Sequence, residues 1–159
     1  MIEIEVHIAA LDALLGRAIA LGANMTPITR ALAGVLADIP ARAFANQADP
    51  ETGQAWAPLK PSTVKRRGSK EPILHDSGAL AASIQPEHGP DFARVTTATV
   101  YAPTHQFGAK KGAFGSTKRG SPIPWGDIPA RRFFGIGPDD EEELLQTAAQ
   151  TLQRVLAGR

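Results

Sequence analysis

Cysteine is absent from this 159-residue chain, which excludes disulfides and thiolate metal sites. Aromatic residues are scarce, at 6%, so the expected core is aliphatic and thin. A small domain buries a limited share of its surface, and part of the stability is expected to come from association. No apolar run approaches the ~20 residues of a membrane-spanning helix. The opening Met1-Ile2-Glu3-Ile4-Glu5-Val6 carries acids and no basic stretch, so a signal peptide is not expected and a soluble protein made in a cytoplasm is. Charge of one sign is also lacking. The net charge of +1 is too small for a protein built mainly to grip nucleic acid.

The distribution of charge is more informative than its sum. Residues 1–47 and 138–159 are mildly acidic, and the twelve cations of residues 48–137 outnumber their seven acids. Segregation of this kind suits head-to-tail contact between copies.

Hydrophobic periodicity predicts an α+β fold in a single domain over residues 1–159. Ile2, Ile4, Val6 and Ile8 alternate with Glu3, Glu5 and His7, the period of a half-buried strand. Leu11, Leu14, Leu15, Ala18 and Ile19 fall at helical spacing, as do Ile28, Leu32, Val35, Leu36 and Ile39. Two helices, or one kinked helix, are expected over 9–47, with Thr26-Pro27 as a start and Pro40 as an end or kink. Pro61 opens a brief helix, and Asp76 or Ser77 caps a short one carrying Leu80 and Ile84. Residues 84–88 and 92–101 flank the turn signal Gly89-Pro90-Asp91 and form an antiparallel hairpin. Residues 108–121 form a flexible loop or hairpin tip. An amphipathic helix spans 139–157, its acidic start favoured by the helix dipole. The small antiparallel sheet is thus packed by N-terminal helices and a C-terminal amphipathic helix.

The stretch from Tyr101 to Phe134 gathers six of the nine aromatics, a histidine and a run of cations. No nucleophile elbow, phosphate cradle or paired-carboxylate motif occurs. The four histidines offer no closely spaced ligand pair, so no catalytic, cofactor or metal residue is assigned. His105, Gln106, Phe107 and Gly108 are read as turn-forming. In that reading the imidazole and amide hold the turn, Phe107 plugs the core and Gly108 takes a positive φ. Lys110, Lys111, Lys118 and Arg119 sit in the loop, and Lys60, Lys65, Arg66, Arg67 and Lys70 make a second basic run.

Four pieces together resemble the phage virion morphogenesis, or tail completion, family of Mu-like tailed phages. They are Trp56-Ala57-Pro58-Leu59, Leu74-His75-Asp76-Ser77-Gly78-Ala79-Leu80, Tyr101-Ala102-Pro103-Thr104-His105-Gln106-Phe107-Gly108 and Ile128-Pro129-Ala130-Arg131-Arg132-Phe133-Phe134-Gly135. Ser77 stands where that family more often has Thr, and Arg132 where it commonly has Pro. The resemblance implies a non-enzymatic virion part, assembled in a bacterial cytoplasm, that finishes the tail or joins it to the head. It implies a ring at the neck, hexameric in related neck proteins, with tail tube, tail terminator or head–tail connector proteins as partners and no membrane. Trp125, Arg131, Arg132, Phe133 and Phe134 are the expected subunit or partner contacts. Lys110, Lys111, Lys118 and Arg119 are expected to face a lumen and tolerate DNA passing without reading its sequence. The alternative is a nucleic-acid-binding accessory protein using the two basic loops.

Overall fold

A computed structural model of the chain describes residues 8–70 and 72–158. The strand expected over residues 2–8 falls almost wholly outside them. Ile8 precedes helix α1, Ala9–Ala20, and α2 follows as Thr26–Asn46. Short helices occupy Pro61–Arg67 (α3) and Ala79–Ala82 (α4). Strands Ile84–His88 (β1) and Ala93–Thr97 (β2) come next, then Ala102–Phe107 (α5) and Pro138–Ala157 (α6). The fold is α+β: among the described residues, helices surround one two-stranded antiparallel sheet, whose register pairs Ile84 with Thr97 and His88 with Ala93.

Pro40 neither ends α2 nor separates it into two helices. The missing N–H costs one backbone bond, but Pro40 is fully buried in the helix interior, and that burial offsets the loss. Helix α2 is the shared wall of two apolar clusters. One holds Leu14, Ala18, Ile28, Leu32, Val35, Leu144 and Ala148, where α1, α2 and α6 meet. The other holds Ala43, Trp56, Ile73, Leu80, Ala102, Phe133 and Phe134. The apolar stripes read from the sequence supply the first cluster almost completely. The second is assembled largely from loops.

Polar contacts fix the layers. The Asp140 carboxylate accepts the Gly137 N–H (2.9 Å), capping α6 from its own first turn. Asp140 also takes Arg42 of α2, and Glu143 lies 3.3 Å from the same guanidinium. The acidic start of α6 is therefore partly spent inside the chain. At the other end of α2, the Thr29 hydroxyl donates to the Gly89 carbonyl (2.6 Å) and pins the tip of the β1–β2 hairpin.

Several boundaries moved. Thr26 does not cap α2 with its hydroxyl; its N–H is received by the Asn24 side chain (3.1 Å). Gly78, at φ 75°, is the residue before α4, and Ser77 accepts only the Ala79 N–H at 3.4 Å. Strand β2 stops at Thr97, because the chain turns back there: the Thr97 hydroxyl accepts the Thr99 N–H (3.3 Å) and Ala102 N–H reaches the Thr99 carbonyl (3.0 Å). Val100 and Tyr101 thus leave the sheet.

Candidate interaction surface

Gln106 sits at the centre of the region that joins fold to surface. It is fully buried, and its side chain closes three bonds to one strip of backbone. The carbonyl oxygen accepts the Phe133 and Phe134 N–H groups (3.0 Å each), and the amide donates to the Phe134 carbonyl (2.7 Å). A buried backbone without a sheet partner must find such substitutes. Trp56 adds a fourth, donating its indole N–H to the Arg132 carbonyl (2.7 Å). Arg131 donates to the Ala57 and Pro58 carbonyls (2.7 and 2.9 Å). The rings complete the lock: Phe44 meets Trp56 edge-on at 5.6 Å, and Phe133 lies 4.8 Å from Phe134.

Phe133 and Phe134 are therefore interior residues of this chain, and the expectation that they present a face to another subunit is corrected. Their rings are consumed by the core because Gln106 and Trp56 fix the backbone that carries them, while Arg131, also buried, borders a cleft. Arg132 lies half-exposed against Glu51 (2.9 Å). Trp125 alone of the five expected contacts stands well clear, 76% exposed.

Between the two motifs the chain makes a second, irregular hairpin. Ala109 and Ile128 exchange both backbone bonds (2.9 and 2.7 Å), Phe114 N–H reaches the Ile123 carbonyl (2.8 Å), and Thr117 N–H reaches Ser121 (2.8 Å). The Asp127 carboxylate accepts the Lys111 N–H (2.8 Å) and pairs with Lys110 (3.4 Å). These contacts hold its carboxyl below the usual carboxylate range. Residues 107–128, which include the loop expected over 108–121, thus form a braced projection. Phe107, Phe114, Ile123 and Trp125 are exposed along it, with Val100 and Tyr101 at its base. Phe107 does not plug the core; it closes α5 facing outward. Gly108 does take a positive φ, 74°, and a Cβ there would meet the Ile128 carbonyl at 2.7 Å. Lys110, Lys111, Lys118 and Arg119 are all exposed on the projection.

Beside it lies a cleft of about 440 Å³ between α3, the start of α4, α5 and residues 127–131. His105 lines it, edge-on to Tyr101 at 5.8 Å. Its backbone, not its imidazole, holds the turn: its carbonyl accepts the Arg131 N–H (2.7 Å). The ring Nδ1 is buried without a partner. Burial, and behind it the Arg131 charge, pushes the imidazole pKa down. A larger cavity of about 710 Å³ separates α1 and α2 from β2 and is mostly apolar. Among the described residues no group of acids and histidines could hold a metal ion, and no helix is long and apolar enough to cross a membrane.

The sequence pattern of the phage virion morphogenesis family matches residues 6–153, nearly the whole chain. The chain belongs to that family. It is 32% identical over 136 residues to the "Putative capsid assembly protein G" of Escherichia phage Mu, covering 81% of this chain and 80% of that one. It is 33% identical over 157 residues to the "Mu-like prophage FluMu G protein 2" of Haemophilus influenzae, covering 98% and 99%. No solved structure matches it. Membership gives this virion morphogenesis protein a structural part in phage assembly, as the motif resemblance implied.

Arg66, read from the sequence only as one cation of a basic run, is a residue of this surface. Thr63, Arg66 and Arg67 share one face of α3 at i, i+3 and i+4, and that face lines the cleft. The spacing was visible in the sequence; the wall it would meet, built by His105 and Arg131 from far along the chain, was not.

Proposed function

We propose that this protein acts in tail completion or head–tail joining, as a ring of copies at the phage neck. The observation that carries this reading is the projection at residues 107–128. It exposes Phe107, Phe114, Ile123 and Trp125 together, although the chain is poor in aromatics and its core has use for them. Exposed aromatics of this kind serve as anchors in a partner's pocket. The neighbour in the ring, a tail tube or terminator subunit, or a head–tail connector supplies that pocket. Lys118 and Arg119 at the tip of the projection would face the lumen, where cations neutralise DNA phosphates in passing without reading bases.

Deleting the gene from a phage or prophage that carries it tests this. The expected lysate contains DNA-filled heads and separate tails, and a supplied copy restores joined particles. In normal particles, antibody against the chain should label the neck. Joined, infectious particles made without the protein would sink the reading. Retention on duplex DNA that falls steeply with salt, and is lost on neutralising Lys65, Arg66 and Arg67, would favour a nucleic-acid-binding accessory role instead.

A further inference from the structure

The cleft beside the projection holds polar groups that the chain itself leaves unmet. Arg131 is buried, 5% exposed, and among the described residues its guanidinium donates to two backbone carbonyls alone. Among the described residues no carboxylate lies within ion-pair distance of it. A buried charge without a counter-ion is costly. His105 Nδ1, buried in the same wall, has no hydrogen-bond partner. Arg66, exposed at the cleft, makes no ion pair or hydrogen bond with a described residue. The acids already at the cleft are engaged: Asp76 faces Arg67 at 3.6 Å, and Asp127 is held by Lys110 and the Lys111 N–H.

An uncompensated guanidinium and a free rim cation border one cavity, with His105 in its wall. That pair of cations is complementary to carboxylates, which would give Arg131 a counter-ion and Arg66 a partner.

We propose that this cleft is a receptor for the acidic opening turn of α6 from a second copy of the chain. That turn carries Asp139, Glu141 and Glu142, all exposed. Asp140 and Glu143 are taken by Arg42 of their own chain. No residue of α6 lines the cleft, and α6 packs on α1 and α2. The donor and receptor patches are therefore different surfaces, and copies join head to tail. Contacts of that type close into rings where the rotation between copies closes, and otherwise run on as open filaments. The acidic flank and basic middle of the sequence become the two sides of one joint. This assignment rests on the reading of the protein as a self-associating virion component.

The test uses the purified full chain. Sedimentation should give a multimer for the wild type. Arg66→Glu should weaken association about tenfold, and so should Glu141→Arg with Glu142→Arg. Combining the three substitutions should restore it. Reversed variants that assemble like the wild type would overturn the proposal. A second arm separates it from the ring reading. Full-length Arg66→Glu chain, whose acidic turn is intact, is titrated into full-length Glu141→Arg/Glu142→Arg chain, whose cleft is intact, while the His105 imidazole resonances of the latter are followed. The expected outcome is saturable movement of those resonances, absent when the titrant also carries Glu141→Arg and Glu142→Arg. A wild type that forms no closed ring while this pair binds removes the ring and leaves the receptor standing. A pair that leaves His105 unmoved removes the receptor.

Discussion

Residues 101–134 hold two sets of aromatic and cationic side chains with opposite placements. Phe133 and Phe134 point inward and close the core, and Arg131 is buried with them. Phe107, Phe114 and Trp125 point outward on a braced projection. Composition does not separate them, since each set is a few large residues among glycines and prolines. What separates them is where the backbone finds its hydrogen bonds. The inward strip is held by the side chains of Gln106 and Trp56, which draw it under the surface. The outward strip pairs with itself across Ala109 and Ile128, and so needs nothing from the core.

The contrast breaks most visibly at Phe133. The ring is fully buried and lies 5.5 Å from Phe44 and 4.8 Å from Phe134. Phe133→Ala should cost about 3–5 kcal/mol of unfolding free energy, read from a urea denaturation midpoint. A cost below about 1 kcal/mol would mean that Phe133 is not part of the core in solution.

Gln106→Leu comes next. It keeps the volume but strands the Phe133 and Phe134 N–H groups and the Phe134 carbonyl. Each buried orphan costs about 1–3 kcal/mol, and partial relaxation should leave a loss of about 3 kcal/mol overall. Hydrogen exchange should locate the damage, with faster exchange at Phe133 and Phe134. Gly108→Ala, at the joint between the two halves, should cost about 1–3 kcal/mol, because a φ of 74° and the Ile128 carbonyl both oppose a Cβ.

His105 gives a smaller effect with a definite sign. Its folded pKa is below the ordinary value, first through burial and then through Arg131. As pH falls through about 6.5, the unfolded chain takes up this proton before the folded one does. Stability contributed here is complete above that pH and declines below it, until the folded group also protonates. Urea midpoints at pH 7.5 and 5.5 should show the decline, and His105→Gln should flatten it. An unchanged slope in that variant would assign the acid sensitivity elsewhere.

The helical shell was legible because α1, α2 and α6 each bury one stripe, and a stripe repeats every three or four residues whatever it packs against. Leu14, Leu32 and Leu144 could be placed on this ground alone. The β1–β2 hairpin was legible from its turn and its Val and Thr content. The second core cluster was not, because it joins Trp56, Ile73, Ala102 and Phe133 across loops, and no local period marks such contacts. Gln106 could be read as a hydrogen-bonding turn residue, but its partners lie nearly thirty positions away. Pro40 does not end α2, because a helix-breaking propensity of ~3 kcal/mol is outweighed by the packing on both sides of the helix, which a local reading does not count.

Trp125 should have the smallest effect on folding and is the sharpest control for Phe133. Its side chain is mostly in water, so truncation removes little burial, and Trp125→Ala should change unfolding free energy by less than about 0.5 kcal/mol. If the outward set is an assembly surface, the same substitution should weaken association strongly, because a partner's pocket is where that ring would be desolvated. Paired measurements decide this. Phe133→Ala should lose stability and lose assembly only through unfolding, and Trp125→Ala should lose assembly at full stability. A Trp125→Ala protein that is stable and still assembles would leave the projection without a role in association. One that unfolds as readily as Phe133→Ala would erase the distinction between the two halves.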